Sequence, residues 1–464
     1  MTAAQASPPQ AGHGRVMTAV SVNVGASMVT ALVGLGTTGF LARQLSVPDF
    51  GRIVLLLTLV TAFAIFEGQR PVVIHRVAAG IGAAGALFHA AARINAAMVA
   101  VTLLCLAVGW ELGNVGSRER ASEIVLGLTV IAFFVAMQYW TFLDAEQHTV
   151  FTGVVRSVAW IVLYLCFCAA AWLGLGVVYY ALSLLLMHIL LTAMLVVRFR
   201  SLGLGRKYSR QNWGEPGPGL LAPALNNIVF NTCAVTINVA DRAIVGSILG
   251  VRAVGDYSGP SELALRAVGL VRAGVQVILP WAARLSPSHQ QRYWLLSVAA
   301  ILLSTGTGAV VLLLWRDAIA ALLLGAKFRS SGDLLGIFGI GIVTATLGYA
   351  CIVQLNARGD FSTQRKLYAV GAVILIAGAF LGARDGSLLE VSLAFLAARC
   401  IDLALLAVLL RECKPRARRW FLVLSALVFL ALFAAWELHG LAAVALLMTA
   451  CIVGYAMREK GELD

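Results

Sequence analysis

The chain has 464 residues, of which 60% are hydrophobic and 12% are charged, and its mean hydropathy is +0.88. Soluble globular chains are about 45–50% apolar and about 25% charged, so this composition excludes a water-soluble enzyme, a disordered protein and a nucleic-acid-binding domain as first interpretations. The net charge is +13, and the positions of the basic residues along the chain decide how it is interpreted. The composition predicts a polytopic membrane protein.

A transmembrane helix needs about 20 apolar residues to cross about 30 Å of hydrocarbon. The sequence contains fourteen such stretches, at 17–41, 52–74, 87–110, 123–143, 152–173, 177–198, 219–240, 256–280, 293–314, 333–355, 365–382, 387–410, 420–436 and 439–457. Glu67-Gly68-Gln69-Arg70-Pro71 interrupts the second stretch, and only Glu437-Leu438-His439 separates the last two, so twelve or thirteen spans is the alternative. We predict an all-α polytopic membrane protein with about 14 transmembrane helices.

The basic residues give the orientation. With the N-terminus placed in the cytoplasm, 22 of the 35 lysines and arginines fall in cytoplasmic segments, 10 fall outside and three lie within spans. Cytoplasmic loops carry the excess of basic residues in membrane proteins. We therefore predict a multi-pass protein of the bacterial cytoplasmic (inner) membrane with both termini cytoplasmic, and no nucleic-acid partner.

Residues 1–16 contain small and polar residues and two prolines, and we expect a short disordered cytoplasmic tail. The first span lacks a small-residue cleavage site, so we expect it to remain as a membrane helix. The eight cysteines form no CxxC pair, and His148 and His188 are isolated, so neither a metal site nor a disulfide framework is indicated. No Gly-rich phosphate loop with its lysine is present, so we expect no cofactor and no direct drive by ATP.

Two segments recur along the chain. Leu45 is followed by Gly51 after the first span, and Leu249 is followed by Gly255 after the seventh, at an offset of 249 − 45 = 204. Phe142-Leu-Asp-Ala-Glu146 and Gln354-Leu-Asn-Ala-Arg358 match at an offset of 212. Similar offsets six spans apart predict two parallel six-helix lobes, 17–198 and 219–410, joined by a cytoplasmic linker at 199–218. Residues 411–464 would add two helices and a short cytoplasmic tail.

The segment around Leu41–Ile53, with Leu-Ser-Val-Pro-Asp-Phe-Gly, resembles the first-loop signature of the Wzx-type polysaccharide and O-antigen flippases. These belong to the multidrug/oligosaccharidyl-lipid/polysaccharide (MOP) superfamily. Val239–Tyr257 and Gln354-Leu-Asn-Ala-Arg-Gly-Asp360 resemble the corresponding segments of their second lobe. The resemblance covers residues 17–410 in layout.

This resemblance implies a V-shaped bundle of twelve core helices with two more at the C-terminus. It implies alternating access, with an oligosaccharide on polyprenyl pyrophosphate moved from the inner to the outer leaflet for surface polysaccharide, lipopolysaccharide or exopolysaccharide biosynthesis. Partners would be this lipid-linked oligosaccharide, membrane lipids, and polysaccharide polymerase or assembly proteins. Drug exporters and the peptidoglycan-precursor flippase of the same superfamily remain alternatives. A membrane polymerase or ligase is a further alternative, disfavoured because Asp317 is the only acidic residue in the longest external loop, Trp315–Gly332.

Three arginines within spans are candidate cations for a cavity. Arg266 falls near the middle of the eighth span, and a guanidinium suits a pyrophosphate or an acidic sugar because it presents several donors in a fixed fork. Glu262, four residues earlier, could instead neutralise it along the helix. Arg272 lies closer to the cytoplasm, where snorkelling is the alternative, and Arg399 could pair with Asp402. Because the first span carries no charge in its apolar part, we expect a mildly cationic cavity and a neutral or weakly acidic glycan.

Polar residues in two other spans complete the predicted site. Asn227, Asn231 and Asn238 share one face of the seventh span, where their amides could bind sugar hydroxyls or join helices. Asn23 is their counterpart in the first span. Glu67 and Arg70, beside Pro71, could form a gate or a coupling pair, or a local salt bridge at a kink.

Overall fold

A computed structural model describes residues 13–62, 69–81, 83–112, 117–208, 221–283 and 285–438. These ranges form sixteen α-helices and one 3-10 helix (Ala326–Ser331) and contain no β-strand. The helices are α1 (His13–Gln44), α2 (Val47–Ala62), α3 (Gln69–Ala79), α4 (Ala84–Leu112), α5 (Ser117–Ala145), α6 (Thr149–Trp172), α7 (Val177–Ser201), α8 (Leu204–Lys207), α9 (Leu221–Ile248), α10 (Val251–Ala282), α11 (Pro287–Leu314), α12 (Arg316–Leu324), α13 (Gly332–Arg358), α14 (Ser362–Arg384), α15 (Leu388–Leu410) and α16 (Pro415–Leu438). The predicted all-α membrane fold is confirmed.

Ten helices of the described residues are long and apolar enough to cross a membrane, and each corresponds to one of the predicted spans. Two more predicted spans, 256–280 and 420–436, lie within α10 and α16. The second predicted span is divided between α2 and α3, whose intervening residues 63–68 lie outside the described residues. The last predicted span, 439–457, also lies outside them.

The ends of the lobes differ slightly from the sequence-based boundaries. Helix α1 begins at His13, within the tail predicted for 1–16, and residues 1–12 lie outside the described part of the chain. The predicted linker at 199–218 opens with the end of α7 and with the short helix α8. Tyr208 is buried against Phe88, Phe142 and Phe199 of the first lobe, which anchors the start of the linker there. Residues 209–220 lie outside the described ranges.

The helix contacts repeat between the two lobes. In the first lobe α1 packs on α6, α5 on α7 and α6 on α7. In the second lobe α9 packs on α14, α13 on α15 and α14 on α15, and these are the same pairs six spans later. Most buried hydrophobic residues of each lobe fall in one cluster, and each cluster also includes residues of the other lobe, such as Ile74 in one and Leu263 in the other. Three helix contacts within residues 13–201 therefore recur within residues 221–410.

Helix α13 lies at the centre of the second lobe. Nearly all residues of its apolar stretch are buried by neighbouring helices. Glycines let its neighbours approach closely, as small residues do between membrane helices. A Cβ at Gly341 would lie 2.7 Å from the Phe395 ring, and a Cβ at Gly348 would lie 1.9 Å from Asp402 Oδ1. Helix α15 therefore packs directly against the backbone of α13.

Polar contacts between helices repeat as well. Asn23 of α1 fills the space beside Gly153 of α6, where a Cβ would lie 1.4 Å from its Oδ1. Asn227 of α9, at 227 − 23 = 204, accepts a hydrogen bond of 2.7 Å from Gln364 of α14. Each asparagine is at most 2% exposed. The two asparagines therefore occupy equivalent places at equivalent helix contacts.

At the predicted outer end of the bundle, the two recurring sequence segments pack against each other. A Cβ at Gly51 of α2 would lie 2.4 Å from the carbonyl oxygen of Val251, and a Cβ at Gly255 of α10 would lie 2.5 Å from that of Val47. Both pairs are related by the offset of 204. The contact is reciprocal. Gly51 of the first lobe packs against the backbone of the second lobe, and Gly255 of the second lobe packs against the backbone of the first.

Candidate functional site: a cationic cavity between the lobes

A cavity of about 480 Å³ lies between the two lobes. It is lined by α1, α3, α5, α6 and α7 of the first lobe and by α9, α10, α13, α14 and α15 of the second. Contributions from both lobes mean that any movement of one lobe against the other changes the shape of this cavity.

The lining is rich in arginine. Glu262 is the only carboxylate among the described residues that line the cavity. Six arginines line it: Arg70, Arg156, Arg242, Arg266, Arg272 and Arg399. Two of them pair with carboxylates behind the lining, Arg70 with Asp144 and Arg399 with Asp402. The cavity is therefore cationic and favours anions over cations, and the expectation that it is mildly cationic stays a prediction.

Arg266 reaches from the second lobe into the first. Its Nη1 donates a hydrogen bond to the Tyr164 hydroxyl of α6, and its Cζ lies 4.7 Å from the centroid of the Tyr164 ring. Gly34 of α1 provides the space, since a Cβ there would lie 2.4 Å from Arg266 Nη1. Glycine at this position therefore admits a guanidinium from the opposite lobe.

Glu262 joins Arg266 to a second arginine. The predicted pair is present, with 3.6 Å between Arg266 Nη2 and Glu262 Oε2. Arg242 Nη1 also donates to Glu262 Oε1 at 2.6 Å, and its Nη2 donates to Ser261 Oγ at 3.1 Å. One carboxylate is thus shared by two guanidiniums, which leaves this group cationic beside the cavity.

Arg399 is held by two polar partners, Asp402 and Asn238. Its Nη1 lies 3.3 Å from Asp402 Oδ2, and its Nη2 donates to Asn238 Oδ1 of α9. Tyr368 of α14 donates its hydroxyl hydrogen to the same carboxylate. The predicted pair of Arg399 with Asp402 is therefore present, and Asp402 is almost completely buried behind the arginine. A buried guanidinium held in this way presents a fixed donor set to the cavity.

Arg272 lines the cavity, and its Cζ lies 5.2 Å from the centroid of the Tyr349 ring of α13. This is the geometry of a cation–π contact, which orients the guanidinium.

Arg70 belongs to a group at the end of the cavity that the predicted orientation places nearer the cytoplasm. It forms a salt bridge with Asp144 of α5, and Asp144 also accepts a hydrogen bond from Thr152. The Cζ of Arg70 lies 4.4 Å from the centroid of the Trp140 ring, and the Cζ of Arg156 lies 5.0 Å from it. Glu67, the sequence-based partner of Arg70, lies outside the described residues.

The predicted asparagines separate into two sets. Asn231 and Asn238 line the cavity. Asn227 and Asn23 instead lie in the helix contacts of their lobes, and neither is among the residues that line it. Amide contacts between helices are a common use of asparagine in membranes.

Sequence reasoning missed Arg156, Arg242 and the aromatic side chains around them. Neither arginine was among the predicted cavity residues; Arg156 lies within α6 and Arg242 within α9, where it is 3% exposed. Spacing carried a signal in each case. Arg156, Trp160 and Tyr164 recur every four residues, and Arg242 follows Asn238 by four, so each set shares one helix face.

No cluster of three or more histidine, cysteine, aspartate or glutamate side chains that could hold a metal ion occurs in the part of the chain that the structure describes. His188 is buried with its Nδ1 2.8 Å from the carbonyl oxygen of Leu184, which ties it to its own helix.

No protein-family model and no curated protein matches the chain. Solved structures do match it in fold. A structure of the lipid II flippase MurJ in an inward closed conformation is similar with a TM-score of 0.64 and 11% identity, over 95% of this chain and 99% of that one. A MATE transporter in complex with MaL6 is similar with a TM-score of 0.64 and 11% identity, over 85% and 96%.

A third structure is the outward-facing conformation of a multidrug resistance MATE family transporter of the MOP superfamily. It is similar with a TM-score of 0.63 and 11% identity, over 86% of this chain and 97% of that one. The matches extend over nearly the full length of each of these proteins. The chain therefore has the same fold as these three solved structures.

Proposed function

We propose that this protein is a flippase that moves a polyprenyl-pyrophosphate-linked oligosaccharide across the bacterial inner membrane for surface polysaccharide biosynthesis. The observation that carries the proposal is the cavity's excess of cations, six arginines against Glu262 in the lining and Asp144 and Asp402 behind it, in a fold shared with transporters. A pyrophosphate taken from water needs cationic donors around it, because an uncompensated buried charge is very costly.

The mechanism follows from two lobes around one cavity. The head group occupies the cavity while the polyprenyl tail stays in the lipid between the lobes. Rocking of the lobes then opens the cavity to the other side. Cargo shifts this equilibrium only if it binds the two states with different affinity. Arg266 provides such a difference, because it contacts Tyr164 of the opposite lobe in the present state and a separation of the lobes would break that contact.

The cavity lining also ranks the alternatives. A cationic lining disfavours a cationic drug as cargo, and it suits every polyprenyl pyrophosphate. The peptidoglycan-precursor flippase is therefore the second candidate, and the sequence resemblance to polysaccharide flippases favours the first. No catalytic role is proposed for any residue, and the protein would act without a cofactor.

Mass spectrometry of lipid extracts from cells lacking the protein tests the proposal. We expect polyprenyl pyrophosphate carrying a finished repeat unit to accumulate on the inner leaflet, and its mass would name the glycan. Restoring the wild-type chain should clear the lipid. Restoring an Arg266→Ala variant, which should insert normally, should not clear it.

The other outcomes contradict the proposal in distinct ways. Accumulation of peptidoglycan precursor would support the second candidate. Unchanged lipids together with increased drug sensitivity would identify an exporter. Full clearance by the Arg266→Ala variant would remove Arg266 from the transport site.

A further inference from the structure

The connection between α11 and α13 forms a strap at the predicted outer end of the bundle. It consists of α12 and the 3-10 helix that follows, residues 316–331, and we call it the outer strap. By sequence it belongs to the second lobe, since it joins two helices of that lobe. It nevertheless packs against α1 of the first lobe. The outer strap therefore connects the two lobes.

Apolar side chains fix the outer strap in the first lobe. Ala320, Leu324 and Phe328 are completely buried, and they fall in the hydrophobic cluster that consists mainly of first-lobe residues. The Phe328 ring meets the ring of Phe50 of α2 edge to face, with 6.1 Å between centroids. Gly259 of α10 leaves room behind them, since a Cβ there would lie 3.1 Å from Leu324 Cδ1. The outer strap is thus anchored in the core of the lobe to which it does not belong.

Polar contacts between the outer strap and α1 lie at the carboxyl ends of two helices. Arg43, in the last turn of α1, donates from Nη2 to the carbonyl oxygen of Leu322, in the last turn of α12. Lys327 of the strap donates from Nζ to the carbonyl oxygen of Leu45, directly after α1, at 2.9 Å. The last carbonyls of a helix lack partners within the helix and carry partial negative charge, so a cation there is stabilising. Each lobe therefore supplies a cation to a helix end of the other.

Two glycines allow this close approach of backbones. A Cβ at Gly39 of α1 would lie 2.2 Å from the carbonyl oxygen of Leu323 in the outer strap. Gly325, which ends α12, has a φ of +104°, and a Cβ there would lie 3.3 Å from Arg43 Cγ. Side chains other than hydrogen are disfavoured at such a φ. The contact between α1 and the outer strap is thus made by backbone atoms that only glycine leaves accessible.

The outer strap has no equivalent of its length in the first lobe. The corresponding connection there, between α4 and α5, comprises residues 113–116, whereas α11 and α13 are joined by residues 315–331. Four residues are therefore enough to continue the chain from one span to the next in this fold. The longer connection has a purpose other than joining its two helices.

Opening of the cavity to the outside would require the lobes to separate where the outer strap joins them. The same end holds the reciprocal contact of Gly51 and Gly255. Separation would break the contacts of Arg43 and Lys327 and would withdraw Phe328 from the first-lobe cluster. Each of these contacts stabilises the closed arrangement alone.

We propose that the outer strap is a latch that holds the cavity closed to the outside, and that Arg43 and Lys327 set how readily it opens. The inference uses the lobe movement of the proposed function but does not depend on the cargo. Both residues act by position, because both are exposed and neither is among the residues that line the cavity. Removing a contact made only in the closed state shifts the equilibrium towards the state that is open to the outside.

Labelling of a cavity cysteine from the outside tests the latch. Ala234→Cys places a thiol in the cavity lining of a full-length chain whose eight native cysteines are replaced by alanine. The probe is sulfonatoethyl methanethiosulfonate, a small anion that does not cross membranes, added to spheroplasts. It reaches this thiol from outside only in molecules that are open there, so the initial labelling rate follows the fraction of such molecules.

We expect Arg43→Gln and Lys327→Gln each to raise the initial labelling rate about threefold. The double variant should raise it about tenfold, because the two contacts share no partner and their free energies add. Arg43→Lys keeps a cation at the end of α12 and should recover part of the wild-type rate. Arg52→Gln is the matched control, since this exposed arginine at the same end pairs with Asp49 of its own helix, and its labelling rate should equal that of the wild type.

A wild-type labelling rate in the double variant would overturn the proposal. A rise of the same size in Arg52→Gln would also overturn it, because loss of any outer charge would then open the cavity. Inside-out vesicles give the rate from the cytoplasmic side, which the double variant should leave unchanged or lower. An equal rise there would mean general loosening of the bundle and would likewise overturn a latch at the outer end.

The labelling result and the lipid analysis fail independently. Labelling does not involve cargo, so the absence of a latch leaves the proposed flippase intact. Accumulation of a different lipid, or of none, in cells lacking the protein would overturn the proposed function and leave the latch standing if the double variant still labels faster.

Discussion

The two lobes keep the same packing residues but differ where they face the cavity. Asn23 and Asn227 occupy equivalent helix contacts, and Asp144 and Asn356, related by the offset of 212, accept hydrogen bonds from Thr152 and Gln364, which share that offset. The buried scaffold of one lobe is thus recognisable in the other.

Cavity-facing positions do not follow this rule. Gly34 corresponds to Asn238 at the offset of 204, and the first admits Arg266 whereas the second holds Arg399. Arg156 corresponds to Tyr368 at the offset of 212. Residues that join helices within each lobe therefore recur at the repeat offset, whereas residues that line the cavity differ between the lobes and make the cavity asymmetric.

The deepest ion pair should show the largest effect. Arg399 and Asp402 have side chains only 3% and 2% exposed, whereas Arg70 and Asp144 are 11% and 6% exposed. Asp402→Ala leaves a buried guanidinium uncompensated, so we expect it to lower the free energy of unfolding by about 3–5 kcal/mol. Asp144→Ala should cost less. Thermal unfolding of the two variants in the same detergent measures the difference between the lobes.

A double variant distinguishes the effect of charge from the effect of packing on stability at Arg399 and Asp402. Replacing Arg399 by Met and Asp402 by Leu together removes both charges, so most of the lost stability should return. A double variant as unstable as Asp402→Ala would show that packing around the pair, and not its charge, decides the effect.

The contact of Arg266 with Tyr164 joins the lobes, and its loss should have the next largest effect. Tyr164→Phe keeps the ring but removes the hydroxyl that accepts from the guanidinium, so we expect a loss of about 1.5–3 kcal/mol. Tyr349 lies under Arg272 within the second lobe, and Tyr349→Phe retains that cation–π contact. Thermal unfolding should therefore respond strongly to the first substitution and weakly to the second. Equal responses would mean that the hydroxyl of Tyr164 contributes nothing specific.

The reciprocal glycines predict equal effects in the two lobes. Gly51→Ala and Gly255→Ala each place a Cβ against a backbone carbonyl that cannot move aside, so each should cost about 1–3 kcal/mol. Gly36→Ala is the control, because a Cβ at that exposed position of α1 meets nothing within 4 Å. The control should be neutral or slightly stabilising, since alanine favours a helix. Unfolding midpoints that differ widely between the first two variants would contradict a symmetric contact.

The fold was predictable because apolar length and basic loops are properties of the sequence itself. Ten spans in the described residues match predicted ones, and the repeat of Gly51 in Gly255 marked the place where the lobes meet. The repeat did not reveal that these glycines contact each other's lobes, because a sequence offset reports similarity and not contact.

The cavity was predictable only in part. Arg266, Arg272 and Arg399 stood out because they interrupt apolar stretches, whereas Arg156 and Arg242 lie near the ends of spans, where arginine is ordinary. Their positions beside the cavity depend on partners from other helices: Arg156 lies over Trp140, and Arg242 pairs with Glu262. Such contacts join residues far apart in the sequence, so no local sequence pattern predicts them.

The smallest predicted effect separates the two sets of asparagines. Asn227 and Asn238 share a helix face, but eleven residues place them about 16 Å apart along α9, so one meets α14 and the other meets the cavity. Asn227→Ala should lower the free energy of unfolding by about 0.6 kcal/mol, the average for a hydrogen bond between membrane helices. It should leave clearance of the accumulated lipid-linked oligosaccharide in the complemented deletion cells unchanged, whereas Asn238→Ala, which removes an acceptor of Arg399, should impair it. Asn23→Ala repeats the test in the first lobe, and mass spectrometry of lipid extracts beside thermal unfolding reads both quantities. If Asn227→Ala impaired clearance as much as Asn238→Ala does, position 227 would act in transport as well as in the contact between α9 and α14.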